Sequence, residues 1–259
     1  MKPDSNRLFF LDVAVILIVS TLITVAAQHL VFMSVAVPLL LLARFALLAA
    51  WAKAEGFSLR AEVVLFLICT GLGAFNDWNS VCNHKIYDYT VPHEFAFSTI
   101  PIWMLLFWGM ILRSFLRLSR WPALNPPDAP DDSVHLGFSV LKNPWLKIAI
   151  EIVLVMATRQ SIYRLYLDPV WSWLPFALAV IIFVLLFRPD RHDWKLVAAI
   201  VVLGPGAEVL YIAVAHLHRY HLGWFFGVPL WIVLWWVLGV LAGKDLGLRL
   251  LNLLNRVRS

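Results

Sequence analysis

Gly204-Pro205-Gly206-Ala207-Glu208-Val209-Leu210-Tyr211 opens the stretch whose reading decides the fold. It continues through His216, His218, Arg219, Tyr220 and His221 to Gly227-Val228-Pro229 and then Trp231, Trp235 and Trp236. One carboxylate sits inside an apolar run, a polar cluster follows where that run should leave a bilayer, and a second apolar run begins on tryptophans. A carboxylate in hydrocarbon costs several kcal/mol unless it is paired or wetted, so Glu208 is a functional-site candidate by position alone.

The stretch has an echo. Shifted back by 133 positions, Gly204, Gly206, Ala207 and Tyr220 fall on Gly71, Gly73, Ala74 and Tyr87. Shifted by 128, Pro229, Trp231, Leu234 and Trp236 fall on Pro101, Trp103, Leu106 and Trp108. Matched small residues, prolines and tryptophans suggest a duplicated unit, as in many multispan membrane folds. In this register Phe75 stands against Glu208, so two copies with one glutamate imply an asymmetric site.

Composition agrees with a membrane setting. The chain is 61% hydrophobic and 14% charged, far from the balance of a soluble domain. Its surplus of five positive charges belongs to membrane loops rather than to nucleic-acid binding. Cys69 and Cys82 have neither disulfide-framework nor zinc spacing. Crossing the hydrocarbon takes roughly 20 apolar residues. Eight such spans can be drawn, at 8–27, 30–51, 62–81, 97–117, 145–165, 169–187, 194–216 and 224–243.

The expected fold is therefore all-α, a polytopic bundle of about eight transmembrane helices in two similar four-helix halves. The halves are 1–118 and 145–243, joined by a Pro/Asp-rich linker at 119–144 and followed by a basic amphipathic tail at 244–259. Sixteen Lys and Arg lie on the face carrying both termini, against Lys85, Arg159, Arg164 and Arg219 on the other. The positive-inside rule then puts both termini in the cytoplasm, with a bacterial inner membrane as the expected location.

Depth arithmetic selects partners. At about 1.5 Å per residue, Glu208 and Arg159 reach a similar height, as do Glu151 and Arg44, so two buried ion pairs are expected. His216 and His218, if helical, point about 200° apart, unlike the i, i+4 pair of a metal helix, and no metal or cofactor site is expected. The polar groups that gather at Glu208's level make Glu208, His216, His218 and Asp77 the candidate catalytic residues. Arg159, Tyr87, Tyr220, Trp103, Trp231 and Trp235 are the candidate substrate contacts.

Asn76-Asp77-Trp78-Asn79, then Tyr87-Asp88-Tyr89, then Pro101 opening an aromatic helix, resembles the membrane-embedded lycopene cyclase domain, whose repeats run Trp-Asp-Asn-Tyr, Trp-x-Tyr and Pro-x-Glu-Glu. Glu208, followed by Tyr220, Gly227-Val228-Pro229 and Trp235 or Trp236, is similar to the related carotenoid hydratases. The resemblance implies a cofactor-free enzyme acting on a polyisoprenoid or similar membrane lipid, with a carboxyl as general acid and tryptophan faces steadying a carbocation. After the helix-opening prolines this chain has Ile102-Trp103 and Leu230-Trp231 in place of the cyclases' acids, which argues against that particular acid pair. Two other readings fit the same residues: a transporter or lipid-handling protein with Glu208 as proton or gating site, and a structural subunit. Oligomeric state is open at this stage.

Overall fold

Long apolar runs without strand alternation fold as helix. The computed structural model describes residues 6–94, 98–124 and 143–256, and eight α-helices lie among them. They are α1 Asn6–Ala26, α2 Leu30–Glu55, α3 Leu59–Trp78, α4 Ile102–Ser119, α5 Pro144–Leu165, α6 Leu174–Phe187, α7 Arg191–Val209 and α8 Leu230–Arg256. Most of the linker and the last three residues of the tail lie outside the described residues.

Side-chain caps set several helix starts. Ser58 accepts from the Ala61 amide ahead of α3, Asn143 from Trp145 ahead of α5, and Asp190 with Asp193 forms a reciprocal box at α7. Gly56, at φ +68°, closes α2 in the left-handed conformation.

Six of the helices are long and apolar enough to cross a membrane. The exceptions among the eight expected spans are α5, which carries Lys147, Glu151, Arg159 and Arg164, and α6, which is only 14 residues long. The expected fourth and eighth spans also start late, at Ile102 and Leu230, because Pro101 and Pro229 precede helices rather than sit inside them. The Glu94 carboxylate supports that late start by accepting from the Ile102 amide at 3.0 Å. Helix α8 continues without a break into the expected tail, where Lys244 pairs with Asp193 of α7 at 2.6 Å.

Helices α4 and α8 are central. The first packs on α1, α2, α3 and α8, the second on α3, α4, α5, α6 and α7. Close approach along α3/α4 and α7/α8 uses glycine. A Cβ on Gly73 would lie 2.7 Å from Trp108 Cβ, and one on Gly204 would lie 2.6 Å from the Trp236 ring.

Both α3 and α7 end in a wider, π-helical turn, Asn79–Asn83 and Leu210–Val214. Each is followed by a positive-φ residue, Lys85 and His216, and a three-residue strand, β1 Tyr87–Tyr89 and β2 His218–Tyr220. The strands pair antiparallel, Tyr87 against Tyr220, Asp88 against Arg219 and Tyr89 against His218. Asn79 to Leu210, Lys85 to His216 and Tyr87 to His218 are each 131 residues apart.

Candidate functional site

Alternate residues of a strand share a face. Tyr87 with Tyr89, and His218 with Tyr220, therefore turn together toward the helices beneath the small sheet. There they meet two carboxyl groups, one from the end of α3 and one from the end of α7.

Asp77 is fully buried and takes three donors. The Tyr87 hydroxyl donates to its Oδ1, while the Tyr89 hydroxyl and Trp108 Nε1 donate to Oδ2 at 2.8 and 3.1 Å. Glu208, 7% exposed, is less fully occupied: its Oε2 lies 2.9 Å from His218 Nε2. His218 is itself buried, and its second ring nitrogen, Nδ1, has no partner among the described residues.

Ring contacts join the two carboxyls into one cluster. The Tyr87 ring lies 5.5 Å from His218 and 5.0 Å from Tyr220, and Tyr220 meets Trp231 edge-on at 5.6 Å. Burial pushes the Tyr87, Tyr89 and Tyr220 phenols well above their usual range, and carboxylates beside them add to it, Asp77 for the first two and Glu208 for the third. These three phenols are hydrogen-bond donors at any physiological pH.

The candidate residues divide accordingly. Asp77, Glu208, His218, Tyr87, Tyr220 and Trp231 come together. His216 does not: it is exposed in the left-handed conformation that turns the chain into β2, and its carbonyl accepts from Thr90 Oγ1. Trp103 is fully buried in the general core, with no ring contact to the site.

Arg159 does not pair with Glu208. Its Nη2 donates to Ser80 Oγ at 2.6 Å and to the Tyr163 hydroxyl at 3.3 Å, and the guanidinium lies over the rings of Tyr163 and Trp235 at 5.0 and 5.1 Å. Trp235 meets Arg159 and the Phe176 ring rather than the carboxyl cluster. Equal height in two helices left azimuth undetermined, and azimuth decides contact.

The Arg44–Glu151 pair also fails to form. Arg44 binds Asp12 at 2.7 Å and Glu62 at 2.9 Å, inside a buried cluster with Arg113 and Arg117, whereas Glu151 lies by Lys147 of its own helix. Arg113 and Arg117, counted as face charges, are 1% and 2% exposed inside the bundle, and with Arg159 buried as well the count becomes fourteen basic residues against three.

Tyr89 and Ser80 are absent from the candidates. The signal for Tyr89 was available as the period-two pattern Tyr87-x-Tyr89, matched by His218-x-Tyr220. The expected register of 133 placed Phe75 against Glu208, yet Phe75 is 64% exposed. The elements recur at 131, which sets Asp77 against Glu208, Tyr87 against His218, Tyr89 against Tyr220 and Gly73 against Gly204.

No group of three or more metal-ligating side chains occurs among the described residues. An open apolar groove of about 340 Å³ runs along the outer side of α3, lined by Ala74, Phe75, Trp78, Ile100, Ile102 and Leu105. Compared with known proteins, the chain matches no family model, no curated protein and no solved structure.

Proposed function

We propose that the protein is an integral membrane enzyme that transforms an isoprenoid or similarly hydrophobic lipid by acid-base chemistry without a cofactor. The observation that carries this reading is the buried Glu208–His218 pair, whose free Nδ1 stands within a ring of aromatic faces. A proton delivered from this pair to a carbon-carbon double bond would leave a carbocation, which the faces of Tyr87, Tyr220 and Trp231 can steady. The cation then returns a proton to the pair or is captured by water, giving isomerised or hydrated product.

Asp77, already holding three donors, fixes Tyr87 and Tyr89 rather than exchanging a proton. The likeness of 76–79, 87–89 and 227–229 to carotenoid-modifying proteins favours a polyisoprenoid, and the groove beside α3 offers such a chain an apolar bed one turn from Asp77. We also infer that the chain crosses a bacterial inner membrane eight times as two copies of one unit, 1–118 and 145–243, with the termini cytoplasmic. The recurrence of π-turn, strand and acid at one spacing supports the duplication.

Lipid and pigment profiles of cells with and without the protein test the activity. Glu208→Gln and His218→Gln, present in the membrane at wild-type abundance, should each reproduce the accumulation of precursor seen on deletion. A wild-type profile from Glu208→Gln would remove Glu208 from the chemistry.

A further inference from the structure

Two more clusters of charge lie near the end of the bundle that carries the termini, and they are built differently. Across α1 to α4 each acid faces guanidinium: Asp12 binds Arg44 and Arg117, and Glu62 binds Arg44, Arg113 and Arg117, at 2.7 to 3.1 Å. Across α5 and α8, an acid faces an acid.

Glu151 is completely buried, and among the described residues neither of its carboxyl oxygens has a hydrogen-bond donor. The Lys147 ammonium is 3.8 Å away, too far for a hydrogen bond, and sits closer to Asp245, at 3.2 Å. Arg249 also directs its Nε to Asp245, at 2.8 Å. The Lys147 ammonium thus stands beside two carboxyls, Glu151 of α5 and Asp245 of α8.

Two ionised carboxylates on one ammonium bring like charge together, one of them wholly out of water. One proton leaves a single negative charge for Lys147 and Arg249 to balance. Among the described residues the other neighbours offer no alternative donor: α6 supplies the Phe187 ring, 5.4 Å from Lys147, and on α7 Asp193 is already bound to Lys244 at 2.6 Å.

We propose that Glu151 and Asp245 form a proton-binding pair that ties α5 to α8, one carboxyl carrying a proton shared with the other. The ligand is a proton rather than a metal ion, because the Lys147 ammonium stands where a second cation would have to sit. The site is separate from the Glu208 cluster and does not depend on the enzymatic reading. Below the pH at which the pair loses its proton the α5–α8 contact is whole, and above it the contact carries surplus negative charge. The fold is therefore more stable on the acid side.

Infrared titration of the purified full-length protein reads the site directly. Wild type at neutral pH should show a protonated-carboxyl C=O band that Glu151→Gln abolishes, that Asp245→Asn abolishes or shifts, and that fades as pH rises. Thermal unfolding from about pH 5 to about pH 9 should show the wild-type midpoint falling, with Glu151→Gln, which keeps a donor toward Asp245, nearly flat. If Glu151→Gln does not fold, Asp245→Asn carries both readings. Identical infrared bands in wild type and both variants, or a shared pH profile of unfolding, would overturn the proposal.

Discussion

Asp77 and Glu208 occupy matching places at the ends of α3 and α7, yet their surroundings give them different capacities. Three donors leave Asp77 little reason to exchange anything, while Glu208 leans on a histidine with a nitrogen to spare. The phenols around them make this measurable. Tyr87, Tyr89 and Tyr220 are three of the six tyrosines, and burial raises all three. An ultraviolet titration of the folded protein should therefore leave them un-ionised well above about pH 10, to ionise only as the chain unfolds. Because a phenol freed by unfolding ionises more readily than a folded one, stability is undiminished below that pH and declines above it. Ready ionisation of all six near the ordinary value would mean that the site is wet.

Among the elements, the helix pairs α3/α4 and α7/α8 are held close by glycines whose neighbours leave no room for a methyl group. Gly73→Ala and Gly204→Ala drive a Cβ into Trp108 and Trp236, and overpacking of this kind costs about 1–3 kcal/mol. Gly71→Ala and Gly206→Ala meet nothing within 4 Å, so the gain in helix propensity should make them neutral or slightly stabilising. Thermal unfolding of the four variants in one detergent separates these outcomes, and equal behaviour of all four would contradict the packing described. Ion pairs bind a different set of elements. Glu62 joins α3 to α2 and α4, and Asp12 joins α1 to the same two helices. A buried pair stripped of one partner costs about 3–5 kcal/mol, so this cluster holds the first four helices in register at the end opposite the strands.

For the whole molecule, orientation follows from charge. Fourteen basic residues counted for the face carrying the termini, against three for the other, support the proposed orientation with both ends in the cytoplasm. A reporter fused after Ser259 should then be active only in its cytoplasmic form, and activity on the far side of the membrane would invert the arrangement. With that orientation the paired strands and the Asp77–Glu208 cluster face outward, and the proton pair at Glu151 faces the cytoplasm.

The sequence by itself determined the helical class and most of the helix limits, and it singled out Glu208, Asp77 and His218, which the structure brings together. Hydropathy and spacing are one-dimensional properties, and these features follow from them. Only the tertiary structure decided which charges meet. Arg159 turns to Ser80 instead of Glu208, Arg44 to Asp12 and Glu62 instead of Glu151, and His216 away from the site altogether. Depth along a helix can be counted from the chain, but the rotation of each helix about its axis cannot. The π-helical turns after Asp77 and Glu208 shift that rotation further, and they lead into strands where a helical wheel no longer applies.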